Sequence, residues 1–76
     1  MNERGMKDLA IMLGDNWPCR TLCLKKYSED AHQVDFADLM RREEGKFIFI
    51  PLDVGQPETG DKTMLERLVN EGWLVD

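Results

Sequence analysis

Between Gly55 and Thr63 the chain reads GQPETGDKT, with Gly55, four residues, Gly60, and then Asp61 ahead of Lys62 and Thr63. Glycines at that spacing, followed directly by Lys and a hydroxyl residue, build a phosphate-binding loop. Backbone N–H groups, the ammonium and a helix N-terminus then converge on the same phosphates. Here Asp61 stands between the last glycine and the lysine. One inserted residue turns Lys62 by about 100° around a helix and puts a carboxylate where phosphate oxygens would sit. The segment reads instead as a surface loop of Gly and Pro leading into a helix cap.

Other candidate chemistry is thinner. His32 is the one histidine, and Cys19 and Cys23 are the two cysteines. If both cysteines lie on a strand, their Cα atoms are about 13 Å apart at ~3.3 Å per residue, beyond the roughly 7 Å that a disulfide spans. They are also too far apart to share a zinc ion, whose structural sites take four close ligands. Asp53, Glu58 and Asp61 do not follow the alternation of a calcium loop, and Pro57 stiffens its middle. A Cys23–His32 nucleophilic pair requires a thiol poised beside a base, whereas Leu22 and Leu24 flank Cys23 as a small apolar or outward residue. The carboxylate pairs Asp35 and Asp38, and Glu43 and Glu44, fit helix ends, where capping accounts for them. The sequence thus predicts no catalytic, cofactor-binding or metal-binding residue, and no enzyme.

The elements that carry these residues follow from periodicity. Met6, Leu9, Ala10 and Leu13 recur at helical spacing from Gly5 to Leu13, with Gly14 as the stop. Asp15, Asn16 and Pro18 make a turn that buries Trp17, and CRTLCLKKY follows as a half-exposed strand with Leu22 and Leu24 on one face. After the polar SEDAHQ, the segment VDFADLMRREEG is expected as a second helix. Asp35 would be its N-cap, Phe36, Leu39 and Met40 its apolar face, and Gly45 its left-handed end. A competing reading pairs HQVDF with TLCLKKY as a hairpin, because Val34 and Phe36 alternate. Phe47 to Ile50 is apolar throughout and reads as a central strand covered on both faces, with Pro51 near its end. A last helix puts Met64, Leu65, Leu68 and Val69 on one stripe, with Thr63 and Glu66 as a capping box or Asp61 as the alternative cap. Gly72 ends it in a Schellman turn that returns Trp73 onto Leu68, and WLVD is a final short strand.

The order helix, glycine, tryptophan, strand thus appears twice, as a recurring helix-to-strand solution. The stretch LERLVNEGWLVD resembles the closing helix and strand of small bacterial domains that carry an EGW signature, a likeness that implies no activity.

These elements predict a mixed α/β (α+β) fold in one compact domain over residues 1–76. About three short helices would pack on a three- or four-stranded sheet, with residues 47–50 central and at least one parallel pair joined by a right-handed crossover. The expected core is Leu9, Leu13, Trp17, Leu22, Leu24, Phe36, Leu39, Phe47, Phe49, Leu65, Leu68 and Trp73.

A chain of 76 residues buries about 60 to 65% of its unfolded surface, and a core of this size contributes about 3 to 5 kcal/mol. That favours binding over elaborate catalysis. With 42% hydrophobic and 33% charged residues, the composition is that of a folded globular domain. The net charge of −5, from 15 acidic and 10 basic residues, argues against direct nucleic-acid binding, which needs clustered Lys and Arg. An acidic surface can still meet a basic partner. With no secretory signal and no apolar run of about 20 residues, the expectation is a cytoplasmic protein without membrane contact.

The functional expectation is a small acidic, non-catalytic protein-binding regulator or inhibitor that acts by occluding a surface. Phage and mobile-element products that block host or defence complexes, anti-CRISPR proteins among them, are similar in size and charge alone. The alternatives are a nucleic-acid mimic on a basic groove and a structural subunit that homodimerises. Tyr27, Asp38, Glu43, Glu44 and Glu58 are the expected partner-binding residues, with another protein, or a second copy, as the partner.

Overall fold

Asn2 starts the first helix, α1 (Glu3–Leu13), by accepting a hydrogen bond from the Gly5 N–H at 2.7 Å. Four strands follow: β1 (Thr21–Tyr27), β2 (Val34–Arg41), β3 (Phe47–Pro51) and β4 (Glu58–Gly60). Helix α2 (Lys62–Asn70) and strand β5 (Leu74–Val75) complete the chain. The computed structural model describes residues 2–17, 19–30, 32–52 and 55–76. Pro18 and Asp53, expected in the first turn and in the glycine-spaced loop, lie outside the described residues.

The fold is mixed α+β, as the periodicity predicts, but its arrangement differs. All strands are antiparallel in the order β4-β3-β2-β1-β5, so there is no parallel pair among the described residues, and β2 rather than residues 47–50 is the central strand. The expected second helix is β2 itself. Its residues satisfy both a period of 3.6 and a period of 2, and turn chemistry decides between them. Asp30 accepts from the Ser28 hydroxyl at 2.6 Å and from the His32 N–H at 3.1 Å, while the Ser28 N–H donates to Gln33 O at 2.9 Å. This closes a hairpin in which Leu24 faces Ala37 and Leu22 faces Leu39. Asp35, expected as an N-cap, pairs with Lys26 in the ladder instead.

Gly45 is left-handed, at φ 72°, but it turns the β2–β3 hairpin with Glu44 at φ 58° rather than ending a helix. The Lys46 N–H donates to Glu43 O across that turn.

One core lies between the helices and one face of the sheet. It contains Leu22, Leu24, Ala37, Leu39, Phe47 and Phe49 from strands, Met12 from α1, and Met64, Leu65, Leu68 and Val69 from α2, with Trp73 beside them. Each fully buried Leu or Met contributes about 1.5 to 3 kcal/mol of transfer free energy. Trp73 meets Phe49 edge-on at 5.0 Å. It is delivered by the expected Schellman ending: Gly72 has φ 109°, and the Trp73 and Gly72 N–H groups donate to Leu68 O and Val69 O.

Two expected core residues are outside. Leu13 is 38% exposed because α1 is rotated about one residue from the apparent stripe: Gly5, Asp8 and Met12 face inward, while Met6 and Ala10 face out. Phe36 is 42% exposed, because on a strand it shares a face with Asp38 and Met40 rather than with Leu39. Leu9 and Trp17 are half-buried against the core.

Arg41 joins α1 to the sheet. Its guanidinium donates to Met12 O at 3.0 Å and to Gly14 O, pairs with Asp15 at 3.3 Å, and lies 4.6 Å from the Trp17 ring centre. The Trp17 indole N–H in turn donates to Ile11 O. A cation over exposed carbonyls is the electrostatic match for a helix C-terminus.

Candidate functional site

The glycine-spaced segment resolves first. Gly60 ends β4 opposite Phe47, and α2 starts immediately above it. A Cβ at Gly60 would stand 2.7 Å from the Met64 Cβ, so packing requires this glycine. Asp61 is the cap of α2, accepting from the Thr63 N–H at 2.9 Å, and Lys62 extends towards Glu66 at the surface. The helix N-terminus is therefore already occupied by a carboxylate of its own chain.

Side chains that alternate away from the core make up the second face of the sheet. Cross-strand partners share a face, so its rows follow from the register. Thr21, Met40, Ile48 and Thr59 form one row, and Cys23, Asp38 and Ile50 the next. Lys25 and Phe36 follow with Leu74 at one side, and Tyr27 pairs with Val34. Leu52 extends the β3 register beside Phe36, to whose carbonyl its N–H donates. Both helices pack on the opposite face, and among the described residues no element packs on this one. Tyr27, Phe36 and Leu52, at 50%, 42% and 57% exposure, are three of the large apolar side chains left open to solvent. Ile48, Ile50, Met40 and Val34 around them are half-buried by their neighbours in the sheet.

Three charges sit within this apolar field. Lys25 bonds Asp76 at 3.3 Å, and its ammonium lies 5.7 Å from the Tyr27 ring centre. Asp38 accepts from the Cys23 thiol at 3.8 Å and forms no ion pair among the described residues. Partial desolvation, and then the Asp38 carboxylate beside it, push the Cys23 thiol above its ordinary 9.0. It is therefore protonated at neutral pH and a poor nucleophile. Both cysteines are free thiols.

Of the expected partner-binding residues, the structure brings Tyr27 and Asp38 onto this open face. Glu43 and Glu44 lie in the β2–β3 turn at its end. Glu58 is elsewhere: it shares a face with Phe49 on the helix side and bonds Arg67, holding that guanidinium above its ordinary value. Phe36, Ile48 and Ile50 are the residues the sequence reading did not place on an outer surface. Their signal was alternation, which the apolar run of residues 47–50 masks.

At the Met40–Ile48 end, two shallow grooves of about 680 and 580 Å³ meet at Arg41 and Arg42. Arg20 and Lys46 line them as well, so this rim is basic although the chain is acidic. Glu43 interrupts it. No group of three or more metal-ligating side chains occurs among the described residues, and no helix there is long and apolar enough to cross a membrane. No protein-family model matches the chain, and no match is found among curated proteins or solved structures.

Proposed function

We propose that this protein is a small, non-catalytic regulator that works by binding and occluding another protein, and that the open face of the sheet is its contact surface. The observation that carries this reading is the contiguous apolar field on β1–β3, with Phe36, Ile48 and Ile50 at its centre and no layer over it among the described residues. Exposed apolar surface of this extent, rimmed by polar groups, marks interaction sites on folded proteins. Tyr27 and Phe36 provide the aromatic anchors that dominate such interfaces. The rim carries both signs, with Glu43 and Glu44 beside Arg41, Arg42 and Lys46, and so favours a partner whose own rim is mixed in charge, with association weakening as salt rises.

Affinity capture from the source cell, with mass spectrometry of the retained proteins, tests the reading when the wild type and Phe36→Asp are run side by side. A protein retained by the wild type and lost from a folded Phe36→Asp variant is the expected result. Identical retention by both would remove the open face from the account.

A further inference from the structure

We infer that the polypeptide that closes the open face in the isolated protein is a second copy of the same chain. This rests on the reading of that face as a protein contact surface and names its occupant.

The first argument is charge. A face with an excess of one sign needs a partner of the other, whereas this face carries both signs close together: Lys25 with Asp76 bonded to it, Asp38 on the neighbouring strand, and Arg42 and Lys46 towards the Met40–Ile48 end. Lys25 and Asp38 lie on adjacent strands one row apart, since Cys23 is the partner of Asp38 and Phe36 the partner of Lys25. A two-fold axis passing between them sets each opposite the other, because in such an interface residue i meets j and j meets i. Asp38, which forms no ion pair within its own chain among the described residues, gains a cation. Lys25 uses one of its three N–H donors on Asp76 and has others to give. Burying Asp38 without such a counter-charge would be costly, so an apolar partner surface fits this face less well than a copy of it.

The second argument is area. The five strands hold 7, 8, 5, 3 and 2 residues, which at ~3.3 Å rise and ~4.8 Å spacing give a plane of about 400 Å². The relief of Phe36, Tyr27 and Leu52 raises the accessible surface towards the ~800 Å² per partner of a standard interface. That is enough for a dimer at the small end of the range, one that dissociates on dilution. Sheets packed face to face about 10 Å apart would then place two helix layers outside and a second apolar core between. A third protein that uses this face competes with the second copy.

Sedimentation equilibrium over a wide concentration range, with charge-reversed variants, tests the inference. The wild type is expected to approach twice its 8.8 kDa chain mass. Phe36→Asp, Lys25→Asp and Asp38→Lys should each weaken the dimer at least tenfold, and an equimolar mixture of the last two should recover the doubled mass. Ile48→Lys replaces Phe36→Asp if that variant does not fold. Alkylation of Cys23, measured against Cys19 in the same molecule, should accelerate in Phe36→Asp, which leaves Asp38 beside the thiol, because Cys23 lies inside the contact. A wild type that stays monomeric into the millimolar range overturns the inference, as does a dimer indifferent to these substitutions. A monomer that still captures a protein through Phe36 refutes the second copy and leaves the proposed function standing. A monomer whose captures ignore Phe36 refutes both.

Discussion

The Asp8 carboxylate accepts a hydrogen bond of 3.2 Å from the backbone N–H of Val75, 67 residues away, and is itself only 4% exposed. A short acid on the inner face of α1 thereby holds the last strand against the first helix. Asp8→Ala leaves that N–H without its acceptor and should lower stability by about 1 to 3 kcal/mol, measured by urea unfolding. Arg4 also contacts Asp8, at 3.2 Å, but is 55% exposed. Arg4→Ala should cost well under about 1 kcal/mol, the scale of a solvent-screened pair.

Arg41 offers a test of geometry against charge. One arm of its fork, Nη2, donates to Met12 O and Gly14 O, the other, Nη1, to Asp15, and the guanidinium lies over Trp17. Lysine keeps the charge and loses the fork. Arg41→Lys is expected to incur most of the loss seen with Arg41→Ala, about 1 to 3 kcal/mol by the scale of hydrogen bonds to charged groups. Trp17 fluorescence should shift in both variants.

The segment around Gly60 separates packing from phosphate chemistry. Gly60→Ala drives a methyl into Met64 and should cost about 1 to 3 kcal/mol through overpacking. Asp61→Ala removes the cap of α2 and should cost about 0.5 to 2 kcal/mol. Lys62→Ala should be nearly silent in the same thermal unfolding series. Saturable heat on titration with ATP and magnesium that Lys62→Ala abolishes would contradict this account.

Hydrogen bonds from Ser28 and from the His32 N–H hold the Asp30 carboxyl below its ordinary 3.8. With a folded value below the unfolded one, the turn's contribution is fully present above the unfolded value and is lost as pH falls through the folded value. NMR titration should find Asp30 among the lower carboxyl values, and Ser28→Ala should raise it. An Asp30 value unchanged by that substitution would remove the hydroxyl as the cause.

Legibility in the sequence followed how many constraints each segment satisfied at once. In α2, the stripe Met64, Leu65, Leu68 and Val69 and the stop at Gly72 agree and are realised, while of the two possible caps the helix uses Asp61 and not the Thr63–Glu66 box, because Thr63 already lies inside the first turn. β1 was equally plain, since Leu22 and Leu24 alternate with polar neighbours. β2 was not, because VDFADLMR fits two periods and the deciding hydrogen bonds come from Ser28 and Asp30 outside it. In α1 the error was rotational: Met6, Ala10 and Leu13 form an apolar stripe that faces solvent, while Asp8 occupies the interior for the sake of Val75. The open face was hidden for a related reason. Residues 47–50 are apolar on both sides, which suggested two covering layers, whereas the helices cover one.

The strand order has a kinetic side. β1 to β4 each pair with a strand adjacent in sequence, so the meander can zip by successive hairpin closures on a timescale of about microseconds. β5 instead reaches back from the far side of α2 to Leu24 and Lys25 of β1. That contact closes the longest loop in the sheet and belongs to the late part of folding. In the native ensemble the same strand pairs with β1 over two residues at the sheet edge, so it opens by local fluctuation well before the molecule unfolds. Hydrogen exchange at the Val75 amide should therefore be faster than at the amides of β2, and Asp8→Ala should quicken it further while leaving β2 protection tied to global stability.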